Sequence, residues 1–587
     1  MPSSARYDAV VIGGGHNGLV CAAYLAKAGK RVCVVERRGV LGGCATTEAI
    51  WPGYRVSTAA YVISLFLPQI IRELRLKENG LHVLPRNPSS FTPLPTGESL
   101  LMGPDAKLNH REISKFSTRD AQAYPEYEAL LERVAAVLEP TLSEAAPDLP
   151  TLPASWRRTG WAKKLRDARK AWALQSAMKR LGEDQPAAIE LLTGAARPIL
   201  ERWFESDALK ATLATDAIIG AFTSISSPGS AYVLLHHVMG EAGGARGVWG
   251  YVRGGMGVLS DAIAKTLEQL GGEVRREAPV RGINTAGGPG GGQRATGVTL
   301  EDGSVLEAPI VASSVDAHLT FERLLQPGVL PDNFARAVAG IDYASASMKI
   351  NLALAEPPDF TARPTGGAEL QNGVMPHHRG TMHVGPTMDY LDRAYDDAKY
   401  GRPAAEPILE MTMATSVDDT IAPAGKHILS MFVQYAPYNV RRESGPNGSS
   451  PPQAGEGLGE GAKRSQLGDP PVPTGAPAPE NWDAIKDAFA DRCIAKLAEY
   501  APNVPAAIEH RQVLSPLDLE RTYGITGGNI MQGAMNANQL FAFRPVAGWA
   551  DHRSPVKGLY LCGAASHPGG GVMGACGKNA AVEILRG

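Results

Sequence analysis

Tyr7-Asp8-Ala9-Val10-Val11-Ile12-Gly13-Gly14-Gly15-His16-Asn17-Gly18 is the stretch whose reading decides the fold. The apolar run from Tyr7 to Ile12 reads as a buried strand. It runs directly into a G-x-G-x-x-G turn made by Gly13, Gly15 and Gly18. Leu19 to Ala28 has the periodicity and alanine content of a helix, and Gly29 supplies its stop. A second apolar run, Arg31 to Val35, ends on Glu36, eighteen residues past Gly18. Strand, glycine turn, helix, strand and acid is the order of a dinucleotide site. Gly13 permits the tight turn, Gly15 lets the backbone approach a pyrophosphate, and Gly18 lets helix and strand pack closely. The helix N-terminus, with His16 and Asn17, faces the phosphate charge. Glu36 accepts hydrogen bonds from a ribose, which argues against a 2′-phosphate there. A glycine-rich turn in an ordinary α/β unit would leave both the spacing and the acid unexplained.

Two further features set the length of the ligand. After Glu36 and Arg37 a glycine pair, Gly42-Gly43, follows within one loop. Near the other end, Val556 to Cys562 reads as a second buried strand, leading into the glycine-rich turn Gly563 to Gly571. A helix is expected from about Val572 to Leu585, which offers another helix N-terminus to a polar ligand. A ligand reaching both ends of the chain suits FAD better than a nicotinamide nucleotide.

The stretches GHNGLVCAAYLAKAG (15–29), ERRGVLGGCATTE (36–48), YVRGGMGVLSDAIA (251–264) and PLDLERTYGITGGNIMQGAM (516–535) extend the pattern, together with GLYLCGAASHPGGGVMGACGKNAA (558–581). On these residues the chain resembles the phytoene-desaturase-type FAD-dependent oxidoreductases, a branch of the fold shared with amine oxidases. Within that branch it is most similar to the pyridine nucleotide-disulfide oxidoreductase domain-containing subgroup. The resemblance implies an α/β fold: a Rossmann-type FAD-binding domain interleaved with an α+β substrate domain. The cofactor domain would take residues 1–117, 244–340 and 516–587, with a helical cap over 118–243 and a substrate domain over 341–515. The implied FAD contacts add Val280, Gly563, Gly570, Gly571, Val572 and Met573 to those of the first forty-three residues. Ala564 stands where many relatives in the wider fold carry an acid. The helix near Val572 is expected to aim its N-terminus at the pyrimidine edge of the flavin.

Composition narrows the class. The 587 residues are 44% apolar and 20% charged, as in ordinary globular proteins with ample core. With 58 basic against 60 acidic residues, nothing calls for a nucleic-acid partner. No run of eighteen apolar residues occurs; the longest candidate, Ala59 to Ile71, is broken by Pro68 and Gln69. So few residues precede Tyr7 that no signal or transit peptide is expected. A cytoplasmic location is the default, with the mitochondrial matrix as the eukaryotic alternative. None of the six cysteines pairs at C-x-x-C spacing, and Cys44 stands alone after the glycine pair, which argues against thiol–disulfide chemistry. His377, His378 and His383 have loose metal-like spacing without an acid or cysteine partner, so no metal is expected.

Between Trp156 and Arg180, nine Lys and Arg residues face a single acid, Asp167, with Trp156, Trp161 and Trp172 interleaved. Such a helix either lies on an anionic membrane surface as a peripheral contact or presents a solvated basic face with its tryptophans packed inward. The second is the plainer expectation. Residues 441–481 are so rich in Gly and Pro that a disordered surface loop is expected, and Gly287 to Gly292 reads as a flexible connection.

No nucleophile–base triad or paired carboxylates stand out. His567, Tyr251 and Arg544 are the candidates for a catalytic role. The apolar stretch 59–71 and the resemblance together point to hydride removal from, or isomerisation of, an apolar small-molecule substrate of polyene type. The electrons would pass on to oxygen or a quinone. Two other readings stand beside it: a flavoprotein with a regulatory role and a protein partner, its FAD structural, and an amine oxidase, which needs an aromatic cage.

Overall fold

The computed structural model describes residues 4–148, 160–242, 245–246, 248–287, 292–362, 369–370, 373–441 and 481–587. Two sheets organise the chain. β1 (Ala9–Ile12) and β2 (Val32–Val35) begin the first, with α1 (His16–Lys27) crossing between them. β3 (Ser90–Pro93) and β4 (Ser99–Met102) begin the second. A helical block follows, including α2 (Thr118–Leu142), α3 (Trp161–Arg180) and α4 (Ser230–Val238). The chain then returns to the first sheet through α5 (Gly257–Gln269), β5 (Glu273–Arg275) and β6 (Ile310–Ser313). β7 (Ser347–Leu354), β8 (Thr381–Val384), β9 (Ile408–Thr412), β10 (His427–Gln434) and β11 (Ile508–Leu514) complete the second sheet. β12 (Leu559–Leu561) and α6 (Ala575–Leu585) close the first.

The first sheet runs in the order β5-β2-β1-β6-β12, with every pairing parallel. Four of its strands, β1, β2, β6 and β12, are short, apolar and mostly buried, as a sheet covered on both faces demands, while the edge strand β5 is polar and partly exposed. Ile12 is level with Val35 and Ser313, and Ser313 with Leu561. The residues that follow these four strands, Gly13, Glu36, Ser314 and Cys562, therefore leave the sheet along one carboxyl edge. Strand order reverses between β1 and β6, and such a switch point opens the crevice where α/β sheets bind ligands.

The second sheet has seven strands in the order β11-β7-β10-β9-β8-β3-β4. Its alternation is strict. Met348, Ile350, Leu352 and Leu354 of β7 enter one apolar core with Leu429, Met431 and Val433 of β10. The other face of the same strands carries Lys349, Asn351, Ser430 and Phe432, pointing the opposite way by the period of two. The helical block packs a separate core from α2, α4 and their neighbours.

Several expectations need adjusting. β3 and β4 lie within residues assigned to the cofactor domain, yet they pair into the second sheet, because Ser90 and Phe91 find their parallel partners in β8. The chain from Val305 to Ser313 divides between two sheets. Val305–Glu307 joins a separate four-stranded sheet, while β6 enters the first, the break falling at Ala308 and Pro309. The last helix begins at Ala575, three residues later than expected, because Gly571 and Gly574 hold positive φ of 113° and 69°. Residues 442–480, and 288–291 of the glycine connection, lie outside the described residues.

Candidate active site

The carboxyl edge of the first sheet opens into a cavity of about 230 Å³. Gly13, Gly15, His16, Asn17, Glu36, Gly42 and Gly43 line one end; Gly563, Ala564, Gly571 and Val572 line another part. Local sequence explains this convergence. A Cβ on Gly18 would sit 2.2 Å from the Gly13 carbonyl oxygen, and one on Gly577 2.0 Å from the Asn17 oxygen. Glycine at these positions lets α1 close down on β1 and α6 close down on α1, so both helix N-termini meet the same space. Neither first turn contains an acid that would compete with an anionic ligand.

Glu36 is 7% exposed and fixed by two backbone donors: the Gly14 N–H to Oε2 at 2.7 Å and the Arg38 N–H to Oε1 at 2.8 Å. A carboxylate has lone pairs left over for ribose hydroxyls. His16 is pushed down to about 4 by burial, so its imidazole is neutral, and its Nε2 has no protein partner. An unpartnered ring nitrogen at a helix N-terminus, a glycine cradle and an anchored acid fit the two ends of FAD.

The remaining expected contacts sit behind this lining. Gly18 packs against Gly13 and Ser314. The Arg37 guanidinium donates to the carbonyl oxygens of Arg521 and Thr522. Val280 stands two residues beyond Ala278, whose N–H donates to the Glu36 carbonyl oxygen. The Gly570 carbonyl oxygen is 3.3 Å from His236 Nε2, and that of Met573 accepts from the Leu67 N–H.

The three catalytic candidates do not line the cavity. Arg544, 2% exposed, spends its guanidinium on backbone carbonyl oxygens, including those of Met531, Gly533, Gln539 and Ala564. It is a clamp that holds the 531–539 loop against the glycine turn. The Tyr251 hydroxyl donates to the Arg379 carbonyl oxygen at 3.2 Å. His567 Nε2 lies 2.9 Å from the Thr141 carbonyl oxygen, and burial pushes it down to about 4.

Other side chains occupy the wall instead. Ala59, Ala60, Tyr61, Val62 and Leu65 come from the apolar stretch after the second glycine pair. Ile219, His236, His237 and Trp249 come from the helical block and the turn after it, and Lys349 and Phe432 from the second sheet. Lys349 and Phe432 are direct cross-strand partners, and Phe432 in turn pairs with Glu410. One row across β7, β10 and β9 thus begins in the wall of the site with Lys349 and Phe432 and ends at Glu410, outside its lining. Lys349 is 2% exposed; its Nζ donates to Ser430 Oγ at 2.6 Å and lies 4.2 Å from the centre of the Tyr61 ring. Burial holds the ammonium form well below the usual lysine range. Burial likewise lowers His237 and takes His236 down to about 3, so both rings are neutral. Cys44 lines the cavity as an isolated thiol, and burial pushes it up to about 12. Among the described residues no group of three or more His, Cys, Asp or Glu is placed to hold a metal.

Comparison with known proteins gives this arrangement a family. A profile described as "Flavin containing amine oxidoreductase" matches residues 18–401. The rat protein named pyridine nucleotide-disulfide oxidoreductase domain-containing protein 2 is 40% identical over 99% of this chain and 94% of its own. The lycopene-forming phytoene desaturase of Paracoccus sp. is 25% identical over 98% and 96%. The solved structure of putrescine oxidase with putrescine bound superposes with a TM-score of 0.55 at 17% identity, covering 100% of both chains. The cofactor is FAD, and the chain belongs to the flavin-containing amine oxidoreductase family as an FAD-dependent oxidoreductase.

Proposed function

We propose that this oxidoreductase dehydrogenates, or isomerises, an elongated apolar substrate of polyene type. One observation carries the reading. Beyond the glycine cradle Ala59, Val62, Leu65, Ile219, Phe432 and Ile530 give the cavity wall a large apolar share beside Tyr61, His236, His237 and Lys349, and among the described residues the only carboxylate in the lining is Glu36. That acid belongs to the ribose end. An ammonium substrate brought into such a wall would be desolvated without an anion to pair with. The glycine turn that ends the cavity contributes only Gly563, Ala564, Gly571 and Val572, and of the rings in the lining, Tyr61 already has Lys349 Nζ over it at 4.2 Å. A hydrocarbon meets no such penalty.

Bound FAD supplies the hydride acceptor. The chain's own residues do the rest. The apolar wall orients the substrate and keeps water out. The positive end of α6 favours the negative charge gained on reduction. Lys349, whose charged form burial disfavours, can accept or release a proton beside the substrate. Oxygen or a quinone would take the electrons onward.

An apolar substrate must be collected from somewhere, and α3 offers a route. Trp161 is 87% exposed, Leu165 64% and Trp172 70%, along one stripe of the helix flanked by Lys164 and Arg169. The opposite side is fastened to the body by Lys163, which pairs with Asp148 and lies 3.8 Å from Asp551, and by Lys170, which donates to the Ala145 carbonyl oxygen. The plainer expectation of inward-packed tryptophans therefore fails at Trp161 and Trp172; Trp156 lies outside the described residues. Exposed indoles beside lysines and arginines suit an anionic lipid surface. No helix among the described residues is long and apolar enough to cross a membrane.

Anaerobic mixing of the holoenzyme with a panel of polyenes and amines tests the reading. Bleaching of the flavin absorbance by a polyene is the expected result. Bleaching by amines alone would replace it with amine oxidation.

A further inference from the structure

A second cavity of about 450 Å³ lies behind the wall of the first. It starts among the exposed residues Pro104, Ala106 and Glu132 and runs inward to Arg86, His383 and Glu410. These three are 3%, 5% and 7% exposed. Ile219 and Trp249 line both cavities and form the partition. Tyr61 lines only the first and Glu410 only the second. The Tyr61 hydroxyl donates to Glu410 Oε1 at 2.6 Å, so one hydrogen bond spans the partition. The other carboxyl oxygen, Oε2, is buried without a partner.

We propose that Tyr61 and Glu410 form a proton bridge between the active-site cavity and the second cavity, which reaches the surface. Removing a hydride and a proton from carbon leaves the proton inside a chamber built to exclude water. The bridge moves it without moving electrons. The phenol O–H bond breaks toward Glu410 Oε1 while the phenol oxygen takes a proton from the chamber side. Glu410 then releases one proton from its carboxyl group to water in the second cavity. The sequence runs equally in reverse.

The surroundings suit the task. Burial raises the Tyr61 phenol well above its ordinary value, so the hydroxyl keeps its proton between transfers. Burial also raises Glu410, bringing its protonated form within reach; the Tyr61 hydrogen bond, Arg86 and His237 pull it down and Asp216 pushes it up. Asp216, itself pushed up to about 7 by burial, lines the second cavity and can take the proton next. On the chamber side Lys349 lies above the Tyr61 ring, and His236, His237, Cys44 and Tyr523 also line that cavity. A hydrogen bond that served only to anchor Tyr61 would need neither the unpartnered Oε2 nor a cavity behind it.

The test uses the FAD-loaded holoenzyme, reduced by a flash with a photochemical electron donor in weakly buffered solution. A pH-indicator dye follows proton uptake while absorbance follows the flavin. Glu410→Gln and Tyr61→Phe should each slow proton uptake by about tenfold or more. Glu410→Asp, which keeps an ionisable group, should recover most of the rate. Unchanged uptake in either of the first two variants, with flavin bound, overturns the proposal. Should Glu410→Gln fail to retain flavin, Tyr61→Phe alone decides. The electrons come from the donor, so the outcome is independent of whether the natural substrate is apolar.

Discussion

Gly577 and Asn17 stand 560 positions apart in sequence, yet a Cβ on Gly577 would lie 2.0 Å from the Asn17 carbonyl oxygen. This contact sets how closely α6 packs on α1. Gly577→Ala therefore drives the two helix N-termini apart. Overpacking of this kind costs about 1–3 kcal/mol. A lower melting temperature and a reduced ratio of flavin to protein absorbance are expected. Wild-type values of both would show that the close approach is dispensable.

Glu36→Ala removes the acceptor for two backbone N–H groups and for the ribose. A hydrogen bond to a charged group contributes about 1.5–3 kcal/mol, or roughly a ten- to hundredfold change in affinity. Titration of apoprotein with FAD, followed by flavin fluorescence, should show a Kd weaker by that factor.

Lys349 links stability to pH. Its ordinary value is 10.5, and burial lowers it in the folded chain. Between those two values the unfolded chain holds a proton that the folded chain lacks, so stability rises with pH across that window. Below the folded value the slope disappears. Lys349→Met should remove this slope and raise stability at neutral pH by about 1 kcal/mol or more. It should also slow flavin reduction by substrate. Denaturant unfolding at two pH values reads the first effect and stopped-flow absorbance the second.

The exposed stripe of α3 predicts lipid binding. Replacing Trp161 and Trp172 together by Ser should lower co-sedimentation with anionic vesicles several-fold. Raising the salt should weaken binding of the wild-type chain, because each basic residue near such a surface contributes about 1 kcal/mol at low ionic strength. Equal binding to neutral and anionic vesicles would contradict a role for the basic flank.

Cys44 should be inert. With its thiol pushed up to about 12, only roughly one molecule in ten thousand carries the thiolate at pH 8. Iodoacetamide should leave it unlabelled in the holoenzyme, and Cys44→Ser should keep wild-type flavin reduction.

The parts of the cofactor site that rest on local rules could be read directly from the chain. Gly13, Gly15, Glu36 and Gly571 follow from turn chemistry and strand ends, and all line the cavity. The substrate wall could not be read that way. Lys349, Phe432 and Glu410 share a row only because β7, β10 and β9 pair in one register, which a linear sequence does not display. A signal was nevertheless present: Ser347, Lys349 and Asn351 alternate with Met348, Ile350 and Leu352. Polar residues at every second place in a strand buried on both faces mark a site. Arg544 misled for the converse reason, since a lone arginine in a glycine-rich block gives no sign that its donors go to backbone oxygens.

The first sheet draws its strands from the beginning, middle and end of the chain, and β12 is one of its two edge strands. A ribosome must therefore synthesise the segment from Leu559 onward before the pyrophosphate cradle and the glycine turn can face each other. Flavin capture becomes a late event in biogenesis, and yellow colour reports that translation has passed α6. A nascent chain halted before that point exposes the apolar edge of β6 with nothing to cover it. Chaperones and proteases would meet that edge first.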